Sequence, residues 1–248
     1  MPDSPDVESN ISADDHSHIH TGFALFNKRG HAILHWPCDR AGLLYDVVMA
    51  TEIEAKVRIA DAGAVERALR ALGATYRGAW LQTDTFFDHP DRALVRQDAA
   101  LRLRVNRPLD DAAAAAGPSA QLTYKGPRLE GRLKQRAEYE MTVPDAAAMA
   151  EILHQLNYGE AFCYEKRRRR WRLPDGAEVT VDELPRLGRF VEVEAASETV
   201  VERLLDALGF AGRPRITESY IKLLTAELGA DFGSEGLRFH ESQGSDSA

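Results

Sequence analysis

The 248-residue chain carries a formal charge of −8, with 28% charged and 44% hydrophobic residues, which is ordinary for a globular protein. No apolar run reaches the roughly 18 residues that span a bilayer, and two cysteines, Cys38 and Cys163, build neither a disulfide framework nor a thiolate metal site. The absence of a disulfide framework predicts a reducing, cytoplasmic setting, and the acidic balance argues against nucleic acid as the main partner.

Residues 1–48 are rich in Asp, Ser and His and show no sustained periodicity, so they read as a disordered extension or as sequence upstream of a true start at Met49. His16, His18 and His20 belong to this polar stretch and are read as tail rather than as ligands. The folded region is expected over 49–229, with residues 230–248 forming a second disordered tail. Most of the negative charge lies in these ends, −4 in 1–48 and −3 in 231–248, leaving the middle nearly neutral. An anion held there must therefore be held by local arrangement rather than by net field.

The first element is Glu52-Ile53-Glu54-Ala55-Lys56-Val57-Arg58, whose period of two puts four charges on one face and three apolar side chains on the other. A helix follows, capped by Asp61, striped by Val65, Leu69 and Leu72, and stopped at Gly73. Strands are expected near 75–87, 99–106, 119–125 and 135–143. The segment 112–118, alanine-rich and closed by Gly117-Pro118, reads as a loop between two of them. Pro144-Asp145 opens a second helix through Met149, Ile152, Leu153 and Leu156. Strands near 162–173, 177–183 and 188–196 come next, then a helix from Ser197 to Gly209 and a last one over 217–228. The repeated strand, helix and Leu-Gly ending suggests two related halves.

The charged alternation recurs along the chain. Arg102 and Arg104 oppose Leu101, Leu103 and Val105; Lys125 ends its strand; Arg136, Glu138 and Glu140 share a face. Lys166, Arg168 and Arg170 share another, followed by Thr180 with Asp182 and by Glu192 with Glu194. Independent solvated faces would mix more Ser, Thr, Gln and Asn among the charges. A closed antiparallel eight-stranded β-barrel with helices packed outside, an α+β fold, gives every strand the same charged inside. For any single residue, a cross-strand ion pair is the alternative reading. The run Lys166-Arg167-Arg168-Arg169-Arg170 resembles a nucleic-acid patch, but on a strand its members point alternately in opposite directions.

Taken in order, Glu52-x-Glu54-x-Lys56, Leu101-Arg102-Leu103-Arg104, Tyr124-Lys125-Gly126-Pro127, Arg136-x-Glu138-x-Glu140, Glu165-Lys166-Arg167-Arg168, the stretch from Val181-Asp182 to Glu192-x-Glu194, and Ser219-Tyr220 resemble the CYTH superfamily of triphosphate tunnel enzymes. Within it, Lys125-Gly126-Pro127 and the string Val179 to Phe190 look most like the class IV adenylyl cyclase group. The resemblance implies conversion of ATP to cyclic AMP and pyrophosphate with Mg²⁺ or Mn²⁺. It implies phosphate binding by Lys56, Arg102, Arg104, Lys125, Arg136, Lys166 and Arg168, and metal binding by Glu52, Glu54, Glu138, Glu140, Asp182, Glu192 and Glu194. Glu52, Glu54, Lys56, Arg104 and Lys125 would be catalytic.

An all-oxygen acid set suits those hard cations, and enclosing a triphosphate demands several cations and donors. The doubled acid Glu192 and Glu194 resembles the tripolyphosphate and thiamine triphosphate hydrolases of the same superfamily. A non-catalytic binder of polyphosphate or nucleotide is the third reading, and it leaves the acids unexplained. The expected partner is thus a nucleoside triphosphate or another inorganic or organic triphosphate, with a homodimer left open.

Overall fold

The computed structural model describes residues 23–26, 32–35, 48–49, 53–127, 137–229 and 236–239. Three short strands come first, β1 (Phe23–Phe26), β2 (Ala32–His35) and β3 (Val48–Met49), joined antiparallel in that order. They fall on the apolar stretches of an otherwise polar extension.

The main sheet has eight antiparallel strands: β4 (Ile53–Ile59), β5 (Thr75–Asp88), β6 (Ala100–Pro108), β7 (Ser119–Lys125), β8 (Glu138–Val143), β9 (Gly159–Arg172), β10 (Glu178–Leu184) and β11 (Gly188–Ala195). Their spatial order is β4-β11-β10-β9-β5-β6-β7-β8. The closed barrel expected from the alternation is corrected here, because among the described residues no ladder joins β8 to β4. One reason lies at β4: the Lys56 carbonyl accepts from the Ile216 amide at 2.8 Å, so a later segment takes up hydrogen bonding there. The sheet nevertheless curls until side chains of β4, β6 and β8 line one cavity.

The strands alternate as their sequences require. Val57, Val179, Val181, Val191 and Val193 point outward into a core completed by α1 (Ala62–Ala71) and α5 (Glu198–Ala207), which contribute Val65, Leu69, Val201, Leu204 and Leu205. Asp61 caps α1 through the Ala64 amide at 3.0 Å, and Ser197 caps α5 through Val200 at 3.3 Å. Gly73 and Gly209 end them at φ of 74° and 85°, a conformation costly for any residue with a Cβ. A second apolar layer sets α4 (Ala146–Gln155) against β6 and β7 through Leu153, Leu103 and Ala120.

Two short helices accompany the loops, α2 (Ala93–Arg96) and α3 (Asp111–Ala114). The latter occupies part of the segment read as a loop, because Asp110 accepts from the Ala113 amide at 2.9 Å and caps it. It presses on a bulge in β5 at Gly78, where an added Cβ would lie 2.6 Å from the Ala113 nitrogen.

The last helix, α6 (Tyr220–Leu228), corrects the expectation that all helices pack outside. Tyr220 and Leu224 pack with Phe190, Leu184 and Tyr164; Phe190 and Leu184 alternate with the outward valines, and Tyr164 alternates in step with Lys166 on β9, so all three face the interior. Residues 236–239, expected to be part of a disordered tail, follow the same route. Leu237 is buried in that cluster, and its backbone pairs with β9 through Cys163 and Glu165, at 3.0 and 2.8 Å.

Leu205 is fully buried between α5 and the sheet. Replacing it with alanine is expected to cost about 2–5 kcal/mol, read as a lower urea midpoint with an unchanged slope.

Candidate active site

The register brings the inward charges into rows across the strands. Lys56 lies opposite Glu192, Glu54 opposite Glu194, and Glu194 opposite Glu178 on the next strand. Arg168 stands opposite Asp182 on one side and Trp80 on the other; Lys166 stands opposite Gln82. Arg104 faces Asp84, Arg102 faces Thr123, and Lys125 faces Glu138. These residues surround one cavity of about 1380 Å³.

Its middle is an ion network. Asp182, with no exposed surface, accepts from Arg168 Nε at 2.7 Å and Nη2 at 2.5 Å, and from Lys166 Nζ at 3.2 Å. Glu192 pairs with Arg168 and lies 3.0 Å from Lys56 Nζ, which also donates to the Glu218 carbonyl at 3.2 Å. Tyr220 brings its ring to 4.3 Å from Lys56 Nζ and 5.1 Å from Lys166 Nζ. On the other wall Arg104 grips Asp84 with two bonds of 2.6 and 2.7 Å, while Arg102 lies 3.8 Å from Asp84 and 3.9 Å from Glu140. Lys125 and Glu138 pair at 2.6 Å.

Protonation follows from this arrangement. Burial opposes ionisation of Asp84 and Glu192, yet their guanidinium and ammonium neighbours hold both well below the usual carboxylate range. Burial and then Arg168 push Lys166 down to about 8, against the pull of Asp182. Glu54 is raised chiefly by Glu192, and Glu194 by burial and then by Glu178 and Glu54. Like charges placed directly opposite on neighbouring strands are destabilising unless a cation sits with them.

That row bears on the implied divalent ion. Among the described residues no three His, Cys, Asp or Glu side chains converge on a common metal position. Asp182 and Glu192 serve as counter-ions to cations, and Glu138 and Glu140 are engaged by Lys125, Thr123 and Gln121. Glu54, 3.5 Å from Lys56 Nζ, and Glu194 remain as facing oxygen donors. A Mg²⁺-like ion takes one or two carboxylates and completes its shell from water and phosphate, so this pair fits it.

Four cavity-lining groups keep a buried polar atom without a partner: Gln82 Oε1, Arg102 Nε, Thr180 Oγ1 and the Tyr220 hydroxyl. Buried polar atoms are paired in the large majority of cases.

Of the residues singled out from sequence, Lys56, Arg102, Arg104, Lys125, Lys166, Arg168, Glu54, Glu138, Glu140, Glu192 and Glu194 line this cavity. Asp182 joins it through its ion pairs, while Glu52 and Arg136 lie outside the described residues. Sequence reading missed Asp84, Gln82 and Asn106. Gln82 and Asp84 do alternate on β5, but the opposite face carries Thr83 and Thr85 and gives little contrast.

A curled antiparallel sheet enclosing a chamber of paired cations and acids is the architecture of a phosphate-accommodating tunnel. The CYTH domain model matches residues 50–208, and the chain belongs to that family. A Methanocaldococcus jannaschii protein named "Putative adenylate cyclase" is 29% identical over 181 residues, covering 69% of this chain and 97% of its own length. Among solved structures, the PH1819 protein of Pyrococcus horikoshii is 27% identical with a TM-score of 0.59, covering 71% of this chain and 98% of its own. A Hippeastrum protein, described as a "putative adenylyl cyclase" that reveals a dominant triphosphatase activity, aligns with a TM-score of 0.53 at 19% identity over 71% of this chain and 96% of its own, a likeness of fold alone. No helix among the described residues is long and apolar enough to cross a membrane.

Two measurements probe the network. Asp84→Asn leaves buried Arg104 uncompensated and is expected to destabilise the fold by about 3–5 kcal/mol, visible in chemical denaturation. Because the folded state lowers the Lys166 pKa from 10.5 to about 8, its charged form is disfavoured when no anion is bound. A bound polyanion favours that form, so triphosphate binding near pH 8.5 should take up protons and weaken as pH rises from 7 to 9. Calorimetry in two buffers of different ionisation enthalpy measures the uptake.

Proposed function

We propose that the chain is a metal-dependent triphosphate enzyme that converts ATP to cyclic AMP and pyrophosphate. The observation that carries this reading is one cavity combining Lys56, Arg102, Arg104, Lys166 and Arg168 with the facing acids Glu54 and Glu194. A triphosphate brings roughly four negative charges, which need several cations and donors once removed from water. The acids would repel that anion unless a divalent ion lay between. The M. jannaschii relative, matched over nearly its whole length, supports the cyclase form of the reading.

Each residue has a task in this scheme. Arg104 and Arg168, whose Nε and Nη2 are engaged by Asp84 and Asp182, would offer their remaining Nη1 groups to phosphate oxygens, and Lys56 and Lys166 act as point charges. Glu54 and Glu194 would hold Mg²⁺ or Mn²⁺, which activates the attacking oxygen and offsets charge on the departing phosphates. The ribose 3′ oxygen forms a bond to the α-phosphorus as the bond from that phosphorus to the bridging oxygen breaks. The cations hold the negative charge that gathers on pyrophosphate. Glu194, whose proton affinity is raised by burial and then by Glu178 and Glu54, would take the 3′-hydroxyl proton through the carboxylate oxygen that the ion leaves free.

The same carboxylate favours a second reading. A water in place of the ribose hydroxyl, giving its proton to Glu194, would attack the terminal phosphorus of tripolyphosphate or thiamine triphosphate as the bond from that phosphorus to its bridging oxygen breaks. Orthophosphate is released, with pyrophosphate or thiamine diphosphate as the leaving group. Both readings are enzymatic, whereas a non-catalytic binder has no use for facing acids.

Product chromatography after incubating the full chain with ATP, tripolyphosphate or thiamine triphosphate, with Mg²⁺ or Mn²⁺, decides among them. Cyclic AMP with pyrophosphate is expected; orthophosphate without cyclic AMP would make this a hydrolase, and no turnover would leave a binder. Glu194→Gln should lower turnover roughly a hundredfold or more while triphosphate still binds.

A further inference from the structure

One row of the cavity departs from the charged pattern. Beside Lys166 on β9 stand Gln82 on β5, Asn106 on β6 and Ser119 on β7, all neutral and side by side in the register. The Gln82 amide donates to Asn106 Oδ1 at 2.7 Å, and the Asn106 amide donates to Ser119 Oγ at 3.2 Å. Donation runs one way along the row and leaves Gln82 Oε1 at its head, buried and without a partner. This is the acceptor end of a chain whose other polar groups are engaged.

An orphaned buried acceptor costs the desolvation of that atom, so a ligand that satisfies it gains from doing so. Phosphate oxygens are acceptors themselves and would be repelled. The fitting group is an uncharged donor. Such a donor must belong to a molecule whose phosphates reach Lys166, the neighbouring position in the same row. Trp80, two residues from Gln82 on the same face of β5, also lines the cavity, with the Arg170 guanidinium 5.6 Å from its ring.

We propose that Gln82, set by Asn106 and Ser119, forms a nucleobase subsite in which its carbonyl oxygen accepts from the exocyclic amine of adenine. The assignment rests on the triphosphate reading above and names the substrate as a nucleotide carrying an amino base rather than a bare polyphosphate. Arg104, one row away, is held in place by its two bonds to Asp84.

The test is equilibrium binding of ATP, inosine triphosphate and tripolyphosphate to the full chain, in EDTA and again with Ca²⁺. Inosine replaces the amine with a carbonyl, setting acceptor against acceptor. The wild type is expected to bind ATP about tenfold or more tightly than inosine triphosphate. Gln82→Met should bring that ratio close to one, with tripolyphosphate binding reporting an intact fold and phosphate cradle in the variant. Equal affinity for the two nucleotides in the wild type, a preference for inosine triphosphate, or a ratio that survives Gln82→Met would overturn the subsite while leaving the phosphate site standing. Failure of all three ligands to bind would remove the triphosphate reading and the subsite together.

Discussion

Everything in this fold follows from the need to neutralise formal charges that the curl of the sheet takes out of water. Isolated buried ions cost several kcal/mol each, so the most deeply buried carboxylates each sit with more than one cation. Asp182 serves Lys166 and Arg168, Glu192 serves Lys56 and Arg168, and Asp84 serves Arg104 with Arg102 close by. With Glu54 3.5 Å from Lys56 and Glu140 3.9 Å from Arg102, these five cations are matched by five carboxylates. What an anion would meet is therefore set by which cation faces it locally rather than by the acidic charge of the whole chain.

Sharing also fixes positions before any ligand arrives. Arg104 is held by two bonds to Asp84, and Arg168 by Asp182 and Glu192 together, so neither guanidinium has to be ordered by the substrate. Lys56 and Lys166 are held more loosely, with the Tyr220 ring beside both. The helix that carries Tyr220 therefore belongs to the cavity as much as to the packing, and the Ile216 amide on β4 leads it there.

Much of this was legible in the chain. A period of two told which side chains of β4, β6 and β11 share a face, because apolar residues alternate with lysine, arginine or glutamate in each. In β9 the run Lys166 to Arg170 is charged on both faces, and only the period itself separates them. β5 hid its contribution: threonines occupy one face and Gln82 with Asp84 the other, a contrast too slight to reveal a fully buried carboxylate. Residue type alone likewise could not say that Asp182 and Glu192 act as counter-ions to cations. Closure was misjudged because alternation reports faces and says nothing about edges. The same gap hid α6, whose stripe of Tyr220, Leu223 and Leu224 suits an inner or an outer surface equally, until the Ile216 bridge chose between them.

The row-by-row pairing restricts how such a protein can change over evolutionary time. Losing or gaining one residue inside a strand would turn its lysines and arginines into the valine layer and its valines into the cavity. A change of two residues would restore the faces but slide each cation about 6.6 Å along the tunnel, past the carboxylate that offsets it. Strand lengths are therefore close to frozen, and novelty can enter only through single exchanges at inward positions or through the connecting segments. A neutral row beside a charged one, as at Gln82 and Lys166, is the kind of difference that single exchanges can write into an otherwise fixed frame.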